Sequence, residues 1–375
     1  MSYATQSRAL DDELLSVIRA WHDHGTILSE AGFTDLATRS LAYQLRHNQP
    51  YARYCAGFGI TAHALPESWE QIPAVPAAAY KEAVLATFDP AHAALHFQTS
   101  GTTQGIGGSH YMETAELYDA ALLAGFDAFM LADGMRLSYL NLVPNPHDRP
   151  NSSLGYMMGR VSALRGDSQT GWYVRGEELL IEALVIDLRA ACTDRRPVCI
   201  AGTAFALVDV LDYLALHDLQ FELPSGSRIM ETGGFKGRSR VVERGALYDA
   251  LKRRLGVPDK AIVAEYGMTE LTSQYYDMRP STTDSSAGES IRVTSKVGPP
   301  WLRARVVDAS GETVPRGTVG ALVHVDLANR SSCIAIATED LGYETDDGFV
   351  LLGREEGAAL RGCSLDAEEL VARSR

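Results

Sequence analysis

The sequence predicts an α/β fold: a layered sheet with helices on both faces, followed by a small β-rich region. Three observations predict it. Residues 8–46 carry helical periodicity. From about residue 96, short apolar runs end in glycine-rich or polar turns and helical patterns follow. After about residue 285 the helical pattern fades into short strands split by turns.

Along the chain, Leu14, Leu15, Ile18 and Trp21 recur at helical spacing, and Gly25 breaks the run before a second amphipathic stretch. Residues 60–79, with Pro66, Pro73 and Pro76, read as extended and proline-punctuated. LHFQTSGTTQGIGGSH precedes a helix over about 114–132, with Leu117, Ala121, Leu122, Phe126 and Phe129 on its apolar face. LSYLNLVPNP reads as a strand and turn. PVCIAGTAFA leads into VDVLDYLALH, SRIMETGGFKGRSR into VERGALYDALKRRLG, and AIVAEYGMTE into LTSQYYD. Strands alternating with helices imply a sheet whose ligands sit beyond the strands' carboxyl ends. IRVTSKVG, RARVVD, VGALVHVD, CIAIATE and GFVLLG then read as the short strands of the β-rich region.

The 375 residues carry 34 Lys and Arg against 48 Asp and Glu, a net charge of −14. That field repels phosphate backbones and anionic bilayers, so neither nucleic acid nor membrane is an expected partner. Any phosphate must be captured locally by backbone N–H groups, a metal or a few placed cations. Cys55, Cys192, Cys199, Cys333 and Cys363 are odd in number and widely spaced, without a CxxC pair, which suits reduced thiols in a cytoplasm. The first residues, MSYATQSRALDDELL, have no basic and apolar leader pattern, and the uncharged run 197–208 is too short to span a bilayer.

Four loops hold the residue types that chemistry needs. The densest is Thr99-Ser100-Gly101-Thr102-Thr103-Gln104-Gly105, where hydroxyls and flexible glycines can bring N–H groups onto an anion. It lacks the Gly-Lys pair of a Walker loop, and a flexible surface loop is the competing reading. Glu265-Tyr266-Gly267-Met268-Thr269-Glu270 offers a ring to stack, a hydroxyl donor and a carboxylate for Mg²⁺. Its plainer reading is a helix N-terminus with Thr269 as N-cap. Gly233-Gly234-Phe235-Lys236-Gly237-Arg238 follows a third strand, and Thr338-Glu339-Asp340-Leu341-Gly342 precedes Gly353-Arg354. Solvated turns are the alternatives for both.

In this order the four loops resemble the motifs of the adenylate-forming superfamily of acyl-CoA synthetases, peptide-synthetase adenylation domains and luciferases. SWEQIPAVPAAAYKE, PPWLRARVVD, DLANRSSCIAIATEDLG and RGCSLDAEEL narrow the resemblance to LuxE-type acyl-protein synthetases of bacterial luminescence operons. The resemblance covers about residues 60–370. It implies an adenylate-forming domain over 1–353, with a helical and proline-punctuated N-terminal stretch at 1–95 and a distorted β-barrel subdomain at about 286–353. A short tail, 354–375, carries Cys363, and the superfamily's C-terminal domain is nearly absent.

The resemblance also implies roles. Thr99, Ser100, Gly101, Thr102 and Thr103 would hold the ATP β- and γ-phosphates. Glu265, Tyr266, Gly267 and Met268 would line the nucleotide, with Tyr266 on or near adenine. Thr269 would contact the α-phosphate and Glu270 would ligate Mg²⁺. Asp340 would take the ribose hydroxyls with Arg354 assisting. Gly233 and Gly234 would line the adenine and acyl pockets, and Gly202, Thr203 and Ala204 would border the carboxylic acid. The reaction implied is ATP-dependent formation of an acyl-AMP, then acyl transfer to a thiol at Cys363 and onward to a partner such as a reductase or carrier protein. Alternatives are delivery to a small amine, alcohol, CoA or pantetheine, and a nucleotide-binding regulatory subunit of a reductase complex.

Three departures from the superfamily pattern bear on the chemistry. Gln104 interrupts the phosphate loop, and Ser109-His110 stand where a lysine usually lies; His110 is read either as a partial substitute or as a residue leading into the next helix. The lysine of the missing C-terminal domain has no counterpart after Arg354, which leaves Lys236 and Arg238 as candidate cations and Lys296 as a weaker one. Cys363 follows Gly362 and Arg361, a context suited to a mobile, activated thiol, with an idle tail cysteine as the alternative.

Overall fold

Several helices start where a Ser, Thr or Asn side chain caps a free amide, and two end at a left-handed glycine, Gly25 and Gly256. The computed structural model describes residues 3–99, 107–233, 243–278 and 294–354. The chain divides into two compact units: residues 1–125, 268–274 and 295–375 form one, and 126–267 with 275–294 form the other.

In the first unit, the stretch predicted helical over 8–46 is two helices, Tyr3–His24 and Glu30–His47. Leu10, Leu14, Leu15 and Ile18 form the buried stripe of the first. Gly25, at φ +66°, ends it in a conformation that costs an L-residue about 1–2 kcal/mol. Ser29 Oγ accepts from Gly32 N at 3.1 Å and opens the second. A third helix, Gln49–Ala56, is capped by Asn48. The proline-punctuated stretch runs through turns to the short strand Val75–Pro76, parallel to Ala335–Glu344. The β-rich region is antiparallel, in the order Leu302–Val307, Gly320–Asp326, Ala335–Glu344, Phe349–Arg354, Lys296–Val297.

The glycine loop differs in setting from the sequence reading. It does not pass directly from strand to helix. Leu95–Gln98 pairs antiparallel with a second strand, Ser109–Met112, and the helix Glu116–Met130 follows only afterwards. Ser109–Met112 alternates half-buried and buried residues over four positions, too short a period-2 pattern to stand out beside the glycines.

The second unit holds a sheet in the order Glu178–Leu179, Gly171–Arg175, Ser138–Pro144, Val198–Thr203, Arg228–Thr232, Ile262–Tyr266, Tyr275–Asp277. The five inner strands are parallel and the two flanking ones antiparallel. Helices Ile181–Thr193, Ala204–Leu216 and Arg244–Leu255 bury Leu184, Leu188, Leu207, Leu247 and Leu251 against Leu140, Ile200, Ile229 and Ile262. Fully buried apolar strands are what a parallel sheet covered by crossover helices requires.

The segment LTSQYYD departs from the alternating pattern. No helix follows Ile262–Tyr266; the chain turns and returns as the antiparallel strand Tyr275–Asp277. Leu271 N bonds Met268 O, while the amides of Thr272 and Ser273 bond the Asp326 carboxylate at 2.9 and 2.7 Å. Those are the amides a helix capped by Thr269 would need, so the N-cap reading of Thr269 is corrected.

Candidate active site

In the second unit, three neighbouring strands end in register. Thr203 lies opposite Thr232, and Thr232 opposite Glu265. This sets Gly202 and Thr203, Thr232 and Gly233, and Glu265 and Tyr266 side by side at the carboxyl ends, where such sheets bind ligands. Thr232 Oγ1 donates to Glu265 Oε2, and both residues are buried. Tyr266 packs its ring 6.0 Å from that of Tyr275 on the next strand. Behind them, Asp277 accepts from Ala264 N at 3.1 Å and from Arg244, whose guanidinium also bonds Tyr248 Oη at 2.9 Å.

The glycines here have separate reasons. A Cβ on Gly202 would lie 2.7 Å from Leu142 Cβ, so its size is set by packing against the adjacent strand. Gly233 sits at φ +66° with open space around its Cβ position, so its backbone alone demands glycine. Thr203 Oγ1 accepts from Ala206 N at 3.2 Å and caps the helix that Ala204 begins.

In the first unit, Thr99 closes the end of the strand pair Leu95–Gln98 and Ser109–Met112. Its N–H donates to Gly108 O at 2.9 Å and its Oγ1 accepts from Gly108 N at 2.7 Å. A Cβ on Gly107 would lie 2.3 Å from Thr99 O, so this approach needs glycine. His110, on the returning strand, is not a residue of the helix that follows: it is fully buried, with Nδ1 2.7 Å from Thr269 O and Nε2 2.9 Å from Asn329 Oδ1. Two oxygen acceptors suit a doubly protonated ring, but desolvation dominates and pushes its pKa down to about 4.

Glu270 is buried, and its carbonyl accepts from Asn329 Nδ2 at 2.8 Å. Asp340 and Arg354 face each other on neighbouring strands, joined by a 2.8 Å bond from Arg354 Nε to Asp340 Oδ1. Asp340 is buried and the guanidinium half-exposed, so one carboxylate face is fixed by a cation at the surface. Lys296, the weaker candidate cation, is buried.

The division between units falls after Gly267, inside the EYGMTE run. Ser100, Gly101, Thr102, Thr103, Gly234, Lys236, Arg238 and Cys363 lie outside the described residues. Of the cysteines described, Cys55, Cys199 and Cys333 are buried and Cys192 is half-buried. Burial pushes the Cys55 thiol up to about 12 and raises those of Cys333 and Cys192. Among the described residues no helix is long and apolar enough to cross a membrane, and no group of three or more His, Cys, Asp or Glu could hold a metal ion. Mg²⁺ in phosphate chemistry takes one or two carboxylates and completes its shell with phosphate and water oxygens, so a single buried carboxylate at Glu270 fits it.

The turn 326–331 escaped the sequence reading as a site. Asp326, Asn329 and Arg330 are all buried. The polar run between Val325 and Ile334, flanked by apolar strands, was the available clue, but only contacts to residues far along the chain give it meaning.

The LuxE acyl-protein synthetase family matches residues 32–371. A long-chain-fatty-acid–luciferin-component ligase of Aliivibrio fischeri is 20% identical over 312 residues, covering 82% of this chain and 78% of that protein. Among solved structures, 2-hydroxyisobutyryl-CoA ligase bound to 2-HIB-AMP superposes with a TM-score of 0.64 at 14% identity, over 87% of this chain and 68% of that one. The McyG A-PCP protein complexed with phenylalanyl-adenylate gives a TM-score of 0.51 at 20% identity, over 72% of this chain; the chain spans about half, 48%, of that protein. These likenesses establish the fold as that of adenylate-forming enzymes, and by the extent of the family match the chain belongs to the LuxE acyl-protein synthetases.

Proposed function

We propose that the chain activates a long-chain or otherwise hydrophobic carboxylic acid as its acyl-AMP and passes the acyl group to a thiol, first Cys363 and then a partner protein. The observation that carries this reading is the in-register alignment of Thr203, Thr232 and Glu265 at neighbouring strand ends in a chain of this family. The Aliivibrio fischeri relative, named for a long-chain fatty acid and a luciferin component, supports the choice of acid, and the family's description as acyl-protein synthetases supports a protein acceptor.

A carboxylate is a poor electrophile. Its oxygen attacks the α-phosphorus, the bond to the β-phosphate oxygen breaks, and pyrophosphate leaves. The residues mainly position the groups and offset charge that gathers on phosphorus. Thr99 anchors the loop of Ser100, Gly101, Thr102 and Thr103 on the β- and γ-phosphates, and Thr269 donates to the α-phosphate. Asp340, held by Arg354, accepts from the ribose hydroxyls, and Tyr266 with Glu265, Gly267 and Met268 lines the base. Gly202, Thr203, Ala204 and Gly233 with Gly234 border the acid, and Lys236 faces its carboxylate. Mg²⁺, held by Glu270, would supply neutralising charge to the phosphates.

The Cys363 thiolate then attacks the acyl carbonyl, AMP leaves, and a thioester forms. The suppressed thiols of Cys55 and Cys333 favour Cys363 as acceptor. In this reading the adenylate-forming domain is 1–353, comprising the N-terminal stretch 1–95 and a β-rich subdomain from about 286, and 354–375 is the acceptor tail.

Mass spectrometry of the chain with ATP, Mg²⁺ and a panel of fatty acids tests the transfer. An acyl adduct should appear, vanish in Cys363→Ser and be released by hydroxylamine. An adduct that survives the substitution removes Cys363 from the mechanism, and free acyl-AMP without any adduct points to CoA, pantetheine or an amine as acceptor.

A further inference from the structure

Asp340 stands where two neighbouring strand ladders both lose register. On one side, Ala321 pairs with Leu341 and Val323 with Ala337, so Leu322 alone faces Thr338, Glu339 and Asp340. On the other, Leu341 pairs with Gly353 and Gly342 with Leu351, so Leu352 is left over. Bulges bend a strand and re-aim its side chains, and they gather beside active sites. Here one bulge includes Asp340 and the other begins at the residue after it.

Each bulge has its own fastening. In the first, the buried Thr338 donates its hydroxyl to Leu322 O at 2.9 Å and accepts from Asp340 N at 3.2 Å. One hydroxyl thus ties the carbonyl of the facing strand to the amide of Asp340, across the place where the ladder breaks. In the second, Gly353 sits at φ +105°, a backbone that favours glycine, and Leu352 beside it is exposed. Arg354 follows, pairs with Asp340 and bonds its Oδ1 at 2.8 Å. The carboxylate is therefore set from both sides, by Thr338 through its amide and by Arg354 through its Oδ1. A carboxylate accepts at both oxygens, so the Arg354 bond does not exhaust it.

From this geometry we propose that Thr338 is a positioning residue for the sugar of the nucleotide: its hydroxyl holds the bulge that aims the Asp340 carboxylate at the ribose 2′- and 3′-hydroxyls. The proposal rests on the ribose role given to Asp340 under the ligase reading. It adds the device that makes the site selective for a sugar carrying both hydroxyls. Valine has nearly the shape of threonine but neither donates nor accepts, so Thr338→Val unties Asp340 N from Leu322 O.

Calorimetric titration of the full chain with Mg·ATP, and separately with Mg·2′,3′-dideoxy-ATP, in the absence of acid, tests this. Wild type should bind ATP about tenfold or more tighter than the dideoxy analogue, about 1.4 kcal/mol per decade. Thr338→Val should weaken ATP about fivefold or more and leave the analogue within about twofold, so that the preference collapses. Thr338→Ser, which keeps both bonds, should retain most of it. Val307→Ala, in the apolar cluster of the same strands, should lower thermal stability and leave the preference unchanged. If Thr338→Val does not fold, Gly353→Ala, which strains the other bulge, carries the same comparison with the same outcomes. A variant that weakens both nucleotides equally, or neither, while wild type prefers ATP, overturns the inference. Wild type binding ATP and the analogue alike overturns the ribose role of Asp340 and this proposal with it. Wild type binding neither overturns the ligase reading itself.

Discussion

The parallel strand ends of one unit hold Thr203, Thr232 and Glu265 by backbone register over an apolar core, whereas the other unit holds Thr269 and Glu270 by buried side chains reaching from distant segments. The first arrangement is built from local patterns, since each strand and its helix lie together in sequence. The second joins residues 11, 110, 113, 269–273 and 326–330, and its charged side chains are hydrogen-bonded inside the unit. The difference teaches where each unit is fragile. An apolar core loses stability in proportion to the volume removed, while a buried polar network fails when one partner leaves another unpaired.

That contrast sets the order of expected effects. Arg330→Met leaves Asp11 buried without its cation and should cost about 3–5 kcal/mol, whereas adding Asp11→Leu should recover much of it. Chemical denaturation of both variants decides the matter, and equal losses in single and double variants would show that packing, not charge, dominates. Leu188→Ala, in the apolar core of the other unit, should cost about 2–5 kcal/mol with no partner able to rescue it.

Asp340→Ala should lower kcat/KM for ATP by about 10–100-fold, the worth of about 1.5–3 kcal/mol for hydrogen bonds to a charged acceptor. Gly233→Ala must hold a left-handed backbone and should cost about 1–2 kcal/mol, read as a drop in melting temperature.

The smallest effect is on pH. Burial pushes His324, like His110, down to about 4, below its unfolded value. A base depressed on folding adds stability above its unfolded pKa and loses it as pH falls, here from about 6.5 toward 4. Asp326, raised to about 6 by burial, acts in the opposite sense, losing stability as pH rises from about 4 to 6. His324→Gln should therefore flatten the acid side of a melting-temperature profile, and an unchanged slope would mean that His324 does not titrate in that window.

The same contrast explains what the sequence disclosed. Strand–turn–helix runs such as PVCIAGTAFA into VDVLDYLALH were legible because apolar period and turn chemistry act over a few residues. The motif loops were legible through their resemblance to a family. The strand Ser109–Met112, the return of LTSQYYD as a strand and the role of His110 were not, because partners far along the chain decide them. Asp326 takes two amides that would otherwise start a helix, and nothing near Thr272 announces it.

Pyrophosphate exchange into ATP tests the central claim most directly. With Mg²⁺ and a panel of carboxylic acids, the protein should catalyse exchange that depends on the acid, is strongest with hydrophobic chains, and persists in Cys363→Ser, since activation precedes transfer. Exchange absent with every acid, from protein that binds Mg·ATP, would contradict acyl-adenylate formation.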